Sequence, residues 1–271
     1  ARRVVVTGLG AVSPVGNTVP EMWKNMVAGV NGIEEITAFD TSDLKVHIAG
    51  TVKNFEPEKY FEKREAKKLD IYCQYAIAAA QEAVDDSGII GNIDENRFGV
   101  YIGAGIGGLN TFVNNTLGFD HGGPRKVSPF FIPMMIGNIA AGNVAIKYNA
   151  QGVCLPVVTA CATGTHAAGE AYRAIKHGYA DAIIAGGAEA GREGQNQRIL
   201  ACFQTGTDVL RPEGGVGCGG GGHFTFPQTH IKIMGVEFPS IQIVAVLFAL
   251  KIDRKRCDGK TQFVRHRLRQ I

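Results

Sequence analysis

The chain has 271 residues, 36 of them glycine, and a net charge of +3 at neutral pH. That length suits one large or two modest domains, and the composition is that of a globular α/β protein. The charge is too small to imply nucleic acid as a partner, though it is compatible with an acidic one, and six cysteines at irregular positions (73, 154, 161, 202, 218, 257) argue for free thiols in a reducing compartment rather than a disulfide framework.

In chain order, Ala1-Arg2-Arg3-Val4 already opens a strand and shows no signal peptide, so a cytoplasmic location is expected, or a plastid or mitochondrial matrix in a eukaryote. Residues 3–7 predict a buried strand and Gly8-Leu9-Gly10-Ala11 a turn. Residues 19–30 have helical periodicity with Pro20 in the first turn. Residues 31–60 predict loops and short strands. Residues 63–87 form the clearest helix, charged at its start, Ala-rich in its middle and closed by Gly88.

Residues 98–102 predict a second buried strand, running into Gly103-Ala104-Gly105-Ile106-Gly107-Gly108. Residues 128–148 are mostly apolar and small, with a helix predicted from Met134. The apolar run at Val157-Val158-Thr159 predicts a strand ending near Cys161. The Ala-rich residues 167–177 then predict a helix stopped by Gly178, and residues 182–186 a further strand before Gly187. Strands alternating with helices predict a mostly parallel sheet covered on both faces.

Near Gly191 the character changes. Of 30 alanines 27 lie at or before Ala190, residues 214–222 hold seven glycines, and residues 251–269 hold eight Lys or Arg against two Asp. Periodicity after residue 191 is poor apart from the apolar run at 241–250, which is too short to cross a bilayer, so no membrane insertion is expected. A second domain, a flexible extension and an altered reading frame are all compatible with this segment.

Cys161 is the candidate nucleophile. A thiol in a tight turn at a helix start faces unpaired backbone N–H groups and the positive end of the helix dipole, which favour the thiolate. The same groups suit the oxyanion formed when a thiolate attacks a carbonyl. Ala160, Ala162, Gly164, Ala167 and Ala168 leave room around the sulfur. His166, five residues on, falls on another helix face and is read as structural.

Other patterns carry less. Gly103-x-Gly105-x-x-Gly108 matches the dinucleotide fingerprint in letters, but Asn110, Thr111, Asn114, Asn115 and Thr116 interrupt the helix that should follow, and no acidic ribose ligand stands at the right distance. Close backbone packing explains those glycines better. Cys202, Cys218, His223 and His230 fit no common zinc spacing, so no metal is expected. The basic C-terminal segment lacks interleaved aromatics and reads as a solvated face rather than a nucleic-acid surface. Phe130-Phe131-Ile132-Pro133-Met134-Met135-Ile136 suits either core or an acyl-chain pocket.

At Thr159-Ala160-Cys161-Ala162-Thr163-Gly164 the chain closely resembles the β-ketoacyl-[acyl-carrier-protein] synthases of the type II, elongating class. Residues 4–16 (VVVTGLGAVSPVG), Gly105-Ile106-Gly107-Gly108-Leu109, Ser128-Pro129-Phe130-Phe131-Ile132-Pro133 and Ala185-Gly186-Gly187-Ala188-Glu189 match further blocks in the same order. The resemblance implies a thiolase-like fold, layered α-β-α-β-α with mostly parallel mixed sheets, in a homodimer. It implies acyl transfer to Cys161 from an acyl-carrier protein, then decarboxylative condensation with a malonyl thioester in fatty-acid or polyketide synthesis. Ile106, Phe131 and Met134 would lie near the acyl chain, and no metal or redox cofactor is needed.

The resemblance covers residues 1–191, the half carrying the nucleophile, and leaves 192–271 as an atypical or truncated C-terminal half. The family's two histidine blocks are not intact there. His223-Phe224-Thr225-Phe226-Pro227 is a degraded echo of the first, which makes His223 the candidate second catalytic residue. This departure implies that acyl transfer survives while condensation is impaired, and it motivates an alternative, a catalytically incomplete synthase-like dimer partner. A nicotinamide-dependent oxidoreductase, resting on Gly103 to Gly108 alone, is the remaining alternative.

Overall fold

The computed structural model describes residues 2–37, 40–42 and 47–190, with strands at 231–233, 236–238 and 245–252. β1 (Val4–Val12) leads through α1 (Val19–Val27) to an antiparallel pair, β2 (Ile33–Glu35) and β3 (Ile48–Gly50). Then follow α2 (Lys63–Ala66), α3 (Ile71–Ser87), β4 (Phe98–Gly103), α4 (Leu109–Gly122), α5 (Phe131–Met135), α6 (Ile139–Lys147), α7 (Thr163–His177) and β5 (Ala182–Ala188). β6 (Ile231–Ile233) pairs with β7 (Val236–Phe238), and β8 is Ala245–Ile252.

The main sheet runs β1-β8-β5-β4. β4 and β5 are parallel, in register from Phe98 opposite Ala182 to Gly103 opposite Gly187. β8 is antiparallel to both β1 and β5. β1, β4 and β5 therefore point the same way, and the sheet is mixed but mostly parallel, as the alternation of elements predicts. β8 comes from the segment after residue 191, so part of the apolar run at 241–250 completes this sheet, with Ala249 and Leu250 buried in it.

Both faces are covered. Val100, Ile102, Ala182 and Ile184 join one buried cluster with Tyr72, Ala76 and Ala79 of α3 and Val144 of α6. The intervening residues Tyr101, Ile183 and Ala185 join another with Ala167, Ala171 and Ile175 of α7. That is the two-residue period of strands meeting the three-to-four-residue period of helices.

Gly8 and Gly10 do not form the predicted turn. They lie inside β1, and their missing side chains let α3 rest directly on the strand. A β-carbon on Gly8 would overlap the Ala83 carbonyl oxygen, and one on Gly10 the Ala79 carbonyl oxygen. Two glycines two apart on a strand thus meet two alanines four apart on a helix.

The predicted helix over 63–87 is two. Asp70 breaks it: buried, it accepts the Tyr72 N–H at 3.3 Å and caps α3. α3 ends at Gly88, whose φ of 57° gives the left-handed cap predicted for it. The helix at 19–30 is shorter than predicted, ending at Val27 just before Gly29 at φ 69°. The helix predicted from Met134 is likewise split, into α5 and α6.

Glu82 on α3 ties β1 to α1, accepting the Ala11 N–H at 3.0 Å and the Val19 N–H at 2.8 Å. Burial raises its carboxyl pKa, and the two N–H bonds only partly offset this. The folded state therefore holds this proton more tightly than the unfolded chain, and this group's contribution to stability falls as pH rises through the window from the ordinary carboxylate value to the raised one. Glu82→Gln keeps an acceptor oxygen and should flatten that slope in urea melts across pH. Glu82→Ala loses both bonds and should cost about 2 kcal/mol.

Candidate active site

The C-terminal ends of the parallel strands β4 and β5 lie side by side, the place where open α/β sheets present their sites. Residues 153–159 run along β4 to reach that end. Val100 N–H donates to the Val153 carbonyl at 3.0 Å and Leu155 N–H to the Val100 carbonyl at 2.9 Å. After that no regular ladder forms, so the strand predicted at 157–159 is instead an extended segment. Gly103 explains its course: a β-carbon there would overlap both the Val157 carbonyl oxygen and the Thr163 methyl group.

The segment ends in a 3₁₀ turn, Ala160–Ala162, which passes directly into α7. Cys161 sits in this turn with an exposed free thiol. Buried Thr163 braces the turn, its Oγ1 accepting the Thr159 N–H at 3.0 Å. Gly164, in the first turn of α7, packs on Gly187 of β5, where a β-carbon on Gly187 would lie 3.0 Å from the Gly164 backbone. No side chain caps α7. The Ala162 and Thr163 N–H groups bond back to the Thr159 and Ala160 carbonyls of the 3₁₀ turn, so Cys161 stands beside the positive end of the α7 dipole.

Ala160 has φ of 49°, the left-handed region that an alanine adopts only at a cost of about 1–2 kcal/mol. The kink turns the chain sharply just before Cys161. Ala160→Gly should leave stability within about 0.5 kcal/mol, because relief of the strain and the added freedom of the unfolded chain nearly cancel. Ala160→Val should cost about 2 kcal/mol in a urea melt.

Of the other described cysteines, Cys154 is exposed too. Cys73 is buried, takes a bond from Asn143 Nδ2 at 3.2 Å and is pushed up to about 12 by burial. Burial also raises Cys154. A thiol so shifted carries little thiolate at neutral pH.

Glu189 follows β5 and reaches across to the turn after β4. Its Oε2 accepts the Gly105 N–H at 2.6 Å and the Ile106 N–H at 3.1 Å. Burial raises its pKa, while the N–H groups of Gly105, Ile106 and Ala190 pull it back. A β-carbon on Gly105 would lie 2.8 Å from Glu189 Oε2 and 3.7 Å from the Ala160 Cα. The turn bearing Ile106 thus meets both Glu189 and the residue before Cys161.

Ile106 is 48% exposed. Phe131 and Met134 stand half-exposed on α5, which meets the same turn further on, the Gly108 N–H donating to the Met135 carbonyl at 2.9 Å. The Phe131 ring tilts against Phe112 of α4 with centroids 6.2 Å apart. Cys161, Ile106, Phe131 and Met134 therefore lie on three consecutive packed pieces. His223 and the Cys202, Cys218, His223 and His230 set lie outside the described residues. His166 is exposed, with Nε2 3.8 Å from Glu170 Oε1. Sequence reasoning named Glu189 only as the end of a matching block, with no role, and gave no hint of the φ of Ala160. The only signal for Glu189 was an acidic residue directly after a buried strand.

The dinucleotide reading fails on space. β-carbons on Gly103, Gly105 and Gly108 would meet the Val157 carbonyl, the Glu189 carboxylate and the Met134 carbonyl, so protein atoms fill the cradle. α4 nevertheless begins directly at Leu109, contrary to the predicted interruption. Asp70 Oδ2 takes the Thr111 N–H at 2.9 Å and the Thr111 Oγ1–H at 2.6 Å, which fastens its first turn. Among the described residues no three or more His, Cys, Asp or Glu are grouped to hold a metal, and no helix is long and apolar enough to cross a membrane.

Comparison with known proteins agrees with this geometry. The model of the "Beta-ketoacyl synthase, N-terminal domain" family matches residues 1–214. The 3-oxoacyl-[acyl-carrier-protein] synthase 2 of Staphylococcus aureus is 50% identical over 192 residues, 70% of this chain and 46% of the relative. Its counterpart in Vibrio cholerae is 50% identical over 190 residues, 69% of this chain and 46% of the relative. The chain thus spans about half the length of the curated relatives it matches. A type II polyketide ketosynthase, solved bound to a hexaketide and in complex with its acyl-carrier protein, superposes with TM-score 0.69 at 21% identity, over 95% of this chain and 65% of that one. A β-ketoacyl synthase from Burkholderia phymatum gives TM-score 0.69 at 22% identity, over 96% and 62%. The fold is thiolase-like, the described residues supplying an α-β-α sandwich, and the chain belongs to the β-ketoacyl synthase family, whose N-terminal domain it carries.

Proposed function

We propose that the protein acts as a β-ketoacyl-[acyl-carrier-protein] synthase in fatty-acid or polyketide synthesis, with Cys161 as its nucleophile. The observation that carries this is the exposed Cys161 thiol in the turn before the uncapped start of α7, in a chain 50% identical to 3-oxoacyl-[acyl-carrier-protein] synthases over that region. In the first stage the Cys161 thiolate attacks the carbonyl of an acyl thioester. N–H groups at the start of α7 stabilise the tetrahedral oxyanion. The carrier thiolate leaves and takes up a proton, and the acyl group remains on Cys161. In the second stage a malonyl thioester loses carbon dioxide, and the enolate carbon attacks the acyl-Cys161 carbonyl and expels the Cys161 thiolate. His223 is the residue assigned to stabilise that enolate. Ile106, Phe131 and Met134 are assigned to the acyl chain.

For partners we infer an acyl-carrier protein and a second copy of the chain, in the cytoplasm. Lys63, Arg64, Lys67 and Lys68 are exposed on and just after α2, and Lys68 Nζ lies 5.4 Å from the centre of the Phe130 ring beside α5. This basic face suits an acidic partner near the acyl-chain residues, and its binding should weaken steeply with added salt in a titration. Exposed Val153, Leu155 and Val158 form an apolar run along the outer edge of β4 that suits a second copy. By the same reading residues 1–191 form the unit that bears the nucleophile, and 192–271 an atypical or truncated half.

A second reading, an incomplete synthase-like partner, is favoured by the absence of intact histidine blocks from the sequence. Release of labelled carbon dioxide from malonyl-carrier protein separates the two. Release and chain elongation by this protein alone support the full reaction. Elongation only after addition of a complete synthase supports the second reading and overturns the first.

A further inference from the structure

The turn from Gly105 to Gly108 is flanked by two carboxylates, buried Asp70 and half-buried Glu189. At its end, Asp70 Oδ2 holds Thr111 through the backbone N–H and the hydroxyl, and lies 3.1 Å from where a β-carbon of Gly108 would stand. At its start, Glu189 Oε2 takes the N–H groups of both Gly105 and Ile106. Asp70 also caps α3, which gives it an evident role in folding. Glu189 follows the last residue of β5 and caps no helix among the described residues. Besides the neighbouring Ala190 N–H, its bonds go to the turn that separates the Ala160–Cys161 kink from α5. Even a half-buried carboxylate loses hydration, so its place here calls for a gain that an apolar residue would not give.

We propose that Glu189 is a positioning residue: by gripping the Gly105 and Ile106 N–H groups it fixes Ile106 beside Cys161 and thereby sets which acyl chains reach the sulfur. The inference rests on the acyl-transfer reading above. Glu189 touches no substrate; it acts through the turn. What matters is an acceptor oxygen at the right reach, so glutamine should replace glutamate and alanine should not. Aspartate is one methylene too short to hold both N–H groups.

The test uses the full chain as wild type, Glu189→Gln and Glu189→Ala. Acylation of Cys161 is timed by mass spectrometry with butyryl and dodecanoyl thioesters, and hydrogen exchange of the Gly105 and Ile106 amides is followed alongside. Glu189→Ala should change the ratio of the two acylation rates by about tenfold and speed exchange at both amides, while Glu189→Gln keeps the ratio within about twofold of wild type. An unchanged ratio in Glu189→Ala, or an equal change in both variants, overturns the proposal. If Glu189→Ala does not fold, the Gln variant decides: a wild-type ratio and slow amides support the clamp, and a shifted ratio overturns it. If wild type takes up neither acyl group, the acyl-transfer reading fails and the chain-selection role falls with it. Faster exchange in Glu189→Ala would then still show the clamp as a structural contact alone.

Discussion

Cys161→Ser should reduce acyl transfer from a carrier-protein thioester by at least about 10³-fold while leaving the thermal midpoint within about 1 °C of wild type. The sulfur is exposed, so the substitution removes no packing. A serine hydroxyl ionises far less readily than a thiol, and the described turn offers no adjacent base, since His166 is engaged near Glu170. Single-turnover acylation followed by intact-mass measurement reads the first quantity, and a melt followed by circular dichroism the second. A serine variant that acylates at the wild-type rate would move the nucleophile elsewhere.

The largest effect on stability is expected at Gly10. A β-carbon there falls on the Ala79 carbonyl oxygen and close to the Ala83 nitrogen, and these are helix backbone atoms with no rotamer to escape into. Gly10→Ala must push α3 off β1 or break the strand, and should cost at least about 3 kcal/mol. Gly169 is the control. It lies inside α7 with nothing within 4 Å of its β-carbon position, so Gly169→Ala should stabilise the protein by about 1 kcal/mol through helix propensity. Urea melts of the two variants should therefore move in opposite directions. A shift of the same sign in both would mean that α3 and β1 are not in this contact.

Gly10 also shows where sequence reading stops. Gly88 and Gly178 were legible as helix stops because a left-handed cap is a local need. Gly8 and Gly10 looked like a turn because the feature that explains them, the Ala79 and Ala83 backbone, lies about 70 residues further along the chain. α4 was hidden for a related reason. Its Asn and Thr residues have low helix propensity, but Asn115 Nδ2 and Thr116 Oγ1 donate to carbonyls one turn back, at 2.8 Å each, and Asp70 secures the start. The tertiary bonds from Asp70 outweighed propensity there. β8 was visible only as an apolar run, and its pairing between β1 and β5 had no local signature. At the candidate site, Cys161 stood out by its residue type and the small neighbours around it. Glu189 did not, because its role exists only once parallel pairing brings the ends of β4 and β5 together.

The most direct measurement is to map the acyl label after the folded protein has reacted with an acyl-carrier protein thioester. Tryptic peptides should carry the acyl mass on Cys161 and leave buried Cys73, and exposed Cys154 with its raised pKa, free. Label on another cysteine, or none at all in a sample whose circular dichroism shows it folded, would contradict the account of this thiol.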